Sequence, residues 1–268
     1  MPKFAILSDI HANLEALQAV LAKCSDIGID KYISLGDIVG YNANPAECLE
    51  LVRSLPLAVS VKGNHDEYAS SEGAGIAGFN ENARIAIKWT SDQLSDEAKK
   101  WLASTPYRSQ LPMYGITAVH ATLDTPENWG YIFDTHHAAD NFSYQLTSLC
   151  FCGHSHVPVA FCKKPITQYS ERMIMELEDW EHKIIPEVAF RREESFDVNL
   201  NAGHKYLLNV GSVGQPRNKD PRASFAIYDS DLKIVTRYCI PYDIAAAQAK
   251  IYAAGLPERL ATRLDRGI

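Results

Sequence analysis

The 268-residue chain is 46% hydrophobic, enough for one large core or two modest ones. Its net charge of −7 argues against the clustered cationic footprint of a nuclease or any stable nucleic-acid partner. No stretch is long and apolar enough to span a bilayer, the first apolar run (4–7) is too short for a signal-peptide core, and the six cysteines form no C-x-x-C pair. A reduced, cytoplasmic protein with no membrane partner is expected.

Residues 3–8 read as a buried strand, a short apolar run stopped by a polar cluster. Asn13 is placed to cap a helix whose apolar face is Leu14, Leu17, Val20, Leu21 and Cys24. "KYISLGD" (31–37) is the next strand. "NPAECLELVRSL" (44–55) starts a helix with Asn44 as cap and Pro45 in its first turn. "LAVSVKGNHD" (57–66) holds a third strand, ending in Gly63. This alternation predicts right-handed βαβ units and a largely parallel sheet.

Residues 79–103 read as helical, with Ala83, Ala86, Ile87, Thr90 and Leu94 on one face and Ser95 capping a second, shorter helix. "YGITAVHA" (114–121) is a strand, 135–146 a helix and "SLCFCGH" (148–154) a strand. From about 157 onward, short strand-like runs dominate, at 157–162, 187–190, 195–200, 205–210, 223–229 and 233–240. They predict a second, mostly antiparallel sheet. The chain closes with an amphipathic helix (Ile244, Ala247, Ile251, Ala254) and a polar tail. With no linker and no internal repeat, residues 1–268 read as a single domain of two sheets with outer helices.

Five polar clusters stand at predicted strand ends: "SDIH" (8–11), "GDIVGY" (36–41), "GNHDE" (63–67), "VHA" (119–121) and "GHSH" (153–156). In open α/β sheets, ligands bind at that edge. The clusters contribute Asp9, His11, Asp37, Asn64, His120, His154 and His156, with His65 as a further titratable group. Imidazole and carboxylate together suit first-row transition metals, and seven ligands are too many for one tetrahedral ion. Two ions sharing a carboxylate, Asp9 or Asp37, fit the set. In extended backbone, Asp9 and His11, like His154 and His156, would project to one side. Gly36, Gly63 and Gly153 fit tight turns beside the ions. Any one of these histidines alone would be read as structural; the five clusters in this order carry the metal reading jointly.

These five blocks resemble those of the calcineurin-like metallophosphoesterases. "NVGSVGQPR" (209–217) and "DPRASFAIYD" (220–229) resemble the small bacterial and archaeal phosphodiesterase branch of that superfamily. The resemblance implies an α/β fold, a four-layer αββα sandwich with two mixed β-sheets flanked by helices. It implies that Asp9, His11 and His156 hold one ion, that Asn64, His120 and His154 hold the other, and that Asp37 bridges. His65 would stand beside the site without binding metal. Two departures stand out: Ala121 follows His120 where the family usually has glycine, and a segment at 163–205 is inserted before the "NVGSVGQPR" block. An insertion that long inside a compact domain is often functional or covers an interface.

The expected cofactors are two divalent or mixed-valence metal ions, Mn²⁺ or iron first, with Zn²⁺, Ni²⁺ or Mg²⁺ as alternatives. Such a pair acidifies a bridging water, and the hydroxide attacks phosphorus in line. His65 is the candidate for protonating the leaving group or clamping the phosphate. Asp66 either orients that ring or serves as a turn residue. Arg217 is a phosphate clamp, or else an exposed turn residue or a partner of Asp220. Tyr41 either lines the pocket or packs on the 45–55 helix. The run Trp129, Tyr131 and Phe133 either stacks a base or packs, with packing favoured. His136, His137, His182 and His204 read as surface or structural residues, and Cys150 and Cys152 as small buried hydrophobes.

The expected activity is a two-metal phosphoesterase hydrolysing a small phosphodiester or a nucleotide anhydride. The alternatives are a phosphomonoesterase or a catalytically idle scaffold of the same fold. The expected partner is a small phosphorylated molecule, a nucleotide among the candidates.

Overall fold

A computed structural model describes residues 1–71, 80–165, 183–184 and 195–268. The expected strand at 187–190, His182 and most of the 163–205 insertion lie outside the described residues.

Two six-stranded sheets carry the fold. In the first, β1 (Lys3–Leu7), β2 (Lys31–Ser34) and β3 (Leu57–Ser60) run parallel. On the other side of β1, β11 (Ala223–Asp229), β12 (Ile234–Ile240) and β9 (Ser195–Asn199) pair antiparallel, giving the order β3-β2-β1-β11-β12-β9. In the second sheet, β5 (Ile116–Val119), β6 (Leu149–Cys152) and β10 (Lys205–Asn209) are parallel. Antiparallel strands flank them: β4 (Arg108–Leu111) on one edge, β7 (Val159–Lys163) and β8 (Lys183–Ile184) on the other.

Both sheets are therefore mixed, as the family resemblance implied. The expectation of one parallel sheet followed by one antiparallel sheet is corrected. The C-terminal strands divide between the two sheets, β9, β11 and β12 joining the first and β7, β8 and β10 the second. Alternation within a strand states which face is buried and says nothing about which sheet edge will accept it.

The alternation itself is used as expected. Phe4 and Ile6 of β1 join Leu149 and Phe151 of β6 in a core between the sheets. Their neighbours point outward. Ala5 and Leu7 pack with Leu17 and Val20 of α1 (Leu14–Ile27) and with Leu49 and Val52 of α2 (Pro45–Ser54). Cys150 and Cys152 pack with Ala138 and Phe142 of α6 (Thr135–Tyr144). Helix, sheet, sheet, helix is the resulting order of layers. Truncating a wholly buried ring such as Phe151 would cost about 3–5 kcal/mol.

Local signals place the helices. Asn13 caps α1, its side chain accepting from the Ala16 N–H at 3.1 Å. Ser95 caps α5 (Asp96–Ser104), which follows α4 (Glu81–Gln93) after a break at Leu94. Asn44 stands at the start of α2 but makes no side-chain cap; its amide donates instead to Glu47. Among the elements with no sequence forecast are α3 (Asn64–Ser70), only seven residues long, and the edge strands β4 and β8. The expected polar tail is a correction. After α7 (Ile244–Ala253) the chain forms α8 (Glu258–Thr262), and Leu260, Ala261 and Leu264 are buried against Ala83, Ala86 and Tyr41. No helix among the described residues is long and apolar enough to cross a membrane.

Candidate metal centre

The loops after β1, β2, β3, β5 and β6 converge at one edge of the sandwich. Asp9 (φ 53°), His11 (φ 48°), Asp37 (φ 51°), His154 (φ 66°) and His156 (φ 59°) all adopt left-handed backbone. Extended-chain alternation is thus not what brings Asp9 beside His11 or His154 beside His156, contrary to expectation. Each turn is bent so that the side chains fold back over the strand ends. Such residues are costly singly and persist where surrounding structure over-determines them. Here the 8–12 and 36–38 loops brace each other. Asp9 N–H donates to the Gly36 carbonyl, His11 N–H to Asp37 and Ala12 N–H to Ile38, at 3.1, 2.9 and 2.9 Å.

Glycine at 63 and 153 is a steric requirement. A Cβ at Gly63 would lie 2.1 Å from Asp37 Oδ1, and one at Gly153 would lie 1.9 Å from Ser8 Oγ. The loops approach more closely than any side chain allows.

The protonation of the rings follows from their acceptors. His11 Nδ1 faces the Val39 carbonyl at 3.1 Å, His120 Nδ1 the Leu35 carbonyl at 2.8 Å, and His156 Nδ1 the Gln215 carbonyl at 2.5 Å. A carbonyl only accepts, so each Nδ1 carries a proton and Nε2 is the nitrogen left to serve as a ligand, with a free lone pair wherever the ring is neutral. His154 is reversed: its Nε2 donates to the Trp129 carbonyl at 2.9 Å, leaving Nδ1. Such outer hydrogen bonds orient ligating imidazoles.

The freed nitrogens face the carboxylates. His156 Nε2 is 3.3 Å from Asp9 Oδ1; His11 Nε2 and His120 Nε2 are 3.5 and 3.4 Å from Asp37 Oδ2. One ligand atom from each of Asp9, His11, Asp37 and His156 lies within 4.8 Å of the others, and the same holds for Asp37, His120 and His154. Asp37 belongs to both groups. All of these side chains are buried. His11 Nε2 and His156 Nε2 stand 3.1 Å apart; with both rings neutral and protonated at Nδ1 they set lone pair against lone pair, an arrangement suited to an intervening cation. Asn64 Oδ1 is also buried without a hydrogen-bond partner. The donor set fits a divalent metal site.

Electrostatics agree. Burial holds His11 and His156 well below the usual imidazole range and His154 down at about 3, so all three are neutral near pH 7. Burial also lowers His120, but the Asp37 and Asp9 carboxylates outweigh it and raise that ring to about 9. Burial raises Asp9 to about 6. Burial pushes Asp37 up as well, yet His120, His65 and His11 hold it well below the carboxylate range.

A cavity of about 680 Å³ opens over these groups. His65 is on its wall, buried, and is lowered to about 4 by that burial. Asp66 acts at the turn into α3, through backbone N–H groups on both of its carboxylate oxygens. Its Oδ1 accepts from the Ile38 N–H at 2.9 Å and the Val39 N–H at 3.3 Å, and its Oδ2 accepts from Gly63 N–H at 3.1 Å. It ties the Asp37 loop to the start of α3.

Tyr41 lines the cavity, its ring 4.6 Å from that of His11 and 4.3 Å from that of His65. It packs with Ala83 and Leu260 rather than on α2. Arg217 also lines the cavity, 5.9 Å from the Tyr41 ring, with Nη2 donating to Gln215 Oε1 at 3.0 Å. Asp220 pairs instead with Arg222 at 2.6 Å. Ala121 is buried and does not line the cavity.

The aromatic run does not simply pack. Tyr131 (42% exposed) stacks on His154 at 4.2 Å and on Phe133 (59% exposed) at 5.1 Å. His137 binds Asp134 at 2.7 Å, outside the site. Two lining residues, Arg259 and Arg263, had no place in the sequence forecast. Their signal was present: they are four apart, interleaved with the apolar Leu260, Ala261 and Leu264.

Comparison with known proteins agrees with this geometry. The chain is 40% identical to a metallophosphoesterase from Sphaerobacter thermophilus, with a TM-score of 0.80 over 100% of this chain and 99% of that one. It is 39% identical over 267 residues to an uncharacterized protein of Methanocaldococcus jannaschii, covering 98% of this chain and 97% of the relative. A symmetrical bis(5'-nucleosyl)-tetraphosphatase of Aliivibrio salmonicida is 29% identical over 124 residues, 46% of this chain and 45% of that protein. Residues 3–233 match the profile described as "Calcineurin-like phosphoesterase superfamily domain". The two mixed sheets, the buried His/Asp cluster at their edge and this match across most of the sequence make the chain a member of the calcineurin-like phosphoesterase superfamily.

Proposed function

We propose that the protein is a two-metal phosphoesterase that hydrolyses a small phosphodiester or nucleotide anhydride. The observation that carries this reading is the sharing of Asp37 between two ligand groups, one containing His11 and His156 and the other His120 and His154. Asp9 completes the first group and the Asn64 amide oxygen the second, with manganese or iron as the expected metals. A pair of divalent ions supplies an acidified water and charge for the phosphoryl oxygens.

The chain's own residues do the rest. The Val39, Leu35 and Gln215 carbonyls fix the ligand tautomers, so little reorganisation accompanies catalysis. Asp66 holds two ligand loops in register. His65, beside Tyr41 on the cavity wall, is assigned to a phosphoryl oxygen as hydrogen-bond donor. Arg217, half-buried on the same wall, is assigned to phosphoryl charge. The resemblance to a tetraphosphatase over 124 residues supports an anhydride among the candidate substrates.

The test is turnover of a chromogenic phosphodiester and of a dinucleoside polyphosphate after chelation and again after addition of Mn²⁺. Activity is expected to vanish and return. Undiminished turnover by metal-free protein would exclude the reading.

A further inference from the structure

The C-terminal segment brings two cations to the cavity. Leu260, Ala261 and Leu264 anchor α8 against Tyr41, Ala83 and Ala86. With that face buried, Arg259 and Arg263, one turn apart, share another face, and both line the cavity. Arg217 lines it too. Arg217 and Arg263 are half-buried and Arg259 is exposed.

These cations are not consumed by the fold. Among the described residues, none of the three forms an ion pair with an aspartate or glutamate side chain. Arg217 Nε is buried without a hydrogen-bond partner, and Arg263 Nε donates to the C-terminal residue's backbone at Ile268. Burial, then Arg217, lowers Arg263 to about 10, and Arg259 adds to the crowding of like charge. Two carboxylates also line the cavity, Asp37 of the ligand cluster and the exposed Glu81, the latter beside the Asn80 and Asn82 amides. A chain of net charge −7 thus gathers three guanidinium groups on the wall of one pocket. Like charges are assembled this way, against their own repulsion, where an anion is to be held.

The wall lies apart from the ligand cluster but continuous with it. Tyr41 touches His11 and His65 on one side and faces Arg217 on the other. A single phosphoryl group over the Asp37 cluster leaves Arg259 and Arg263 for something else. Resting on the function proposed above, we propose that Arg217, Arg259 and Arg263 form a second phosphate subsite, so that the substrate carries at least two phosphates, as in a nucleoside or dinucleoside polyphosphate. A simple monoester or single-phosphate diester would leave this wall unused.

Calorimetric titration of the metal-free protein with inorganic tripolyphosphate and with orthophosphate tests the subsite without any metal. Tripolyphosphate is expected to bind at least about tenfold more tightly than orthophosphate, and an Arg259→Gln/Arg263→Gln double variant to lose about tenfold or more of that affinity. Arg259→Gln alone, at an exposed position, is expected to weaken tripolyphosphate binding several-fold with unchanged thermal unfolding, which guards against a folding defect in the double variant. Equal affinity for the two anions, or parental affinity in both variants, overturns the subsite. Failure of the Mn²⁺-loaded parent to cleave any phosphoester would instead refute the metal-centre reading. The tripolyphosphate result would decide the subsite either way.

Discussion

His11 Nε2 and His156 Nε2 stand 3.1 Å apart while the other nitrogen of each ring is bound to a backbone carbonyl. Two neutral rings placed lone pair against lone pair in a buried site repel, and a metal ion bound between them would remove that repulsion. Metal binding is therefore expected to be coupled to folding stability. Mn²⁺ at about 100 times its dissociation constant is expected to stabilise the protein by about 2.7 kcal/mol per site. Thermal unfolding with and without the ion, in chelator-treated buffer, measures this.

Asp37 joins the two ligand groups. Asp37→Ala is expected to abolish stoichiometric metal binding and to lower kcat/KM by more than about 100-fold, beyond the usual cost of losing an outer hydrogen-bond partner. Elemental analysis and turnover of a chromogenic diester check the two effects together. His65→Ala is expected to keep the metal and lose rate.

Metal uptake is expected to depend on pH through His120. In the metal-free protein the Asp37 and Asp9 carboxylates hold that ring at about 9, against 6.5 ordinarily. Near pH 7.5 it carries a proton that a ligand nitrogen must give up. Proton release on adding Mn²⁺ in weak buffer is expected at pH 7.5 and should fade as pH rises through 9. Because the folded-state value is raised, this group's contribution to metal-free stability is full below 6.5 and is lost as pH climbs through 9. Urea unfolding of metal-free protein at pH 6 and pH 9.5 gives the sign.

Asp66 accepts three backbone hydrogen bonds at the junction of two ligand loops. Asp66→Ala is expected to destabilise the protein by about 1–3 kcal/mol by leaving buried N–H groups unpaired. Because the residue positions ligands without being one, metal affinity should weaken while added Mn²⁺ restores part of the rate. Rate against Mn²⁺ concentration separates this from loss of a ligand.

The candidate site was legible in the sequence because each of its residues stands in a short motif at a strand end, and strand ends can be read from local apolar runs. As candidate ligands, Asp9, His11, Asp37, His120, His154 and His156, which the fold gathers into two groups sharing Asp37, needed no knowledge of the packing to be picked out; Asn64 was proposed on the same grounds. Much of the helix face at Ala83, Ala86, Ile87 and Thr90 was legible for the same reason, since its period is local.

What the tertiary structure alone decided is everything set by contacts distant along the chain. The split of the C-terminal strands between two sheets depends on which edge is open when they arrive, and no residue in β11 encodes β1 as its neighbour. The left-handed turns at Asp9, His11, Asp37, His154 and His156 are held by hydrogen bonds between separate loops, so their conformation is invisible in any one motif. The same holds for the three cationic side chains on the cavity wall. Arg217 lies some forty residues before Arg259, and only the burial of Leu260 and Leu264 beneath α8 turns them toward one space. Short-range pattern fixed the chemistry available to the chain, and long-range packing chose the geometry in which it is held.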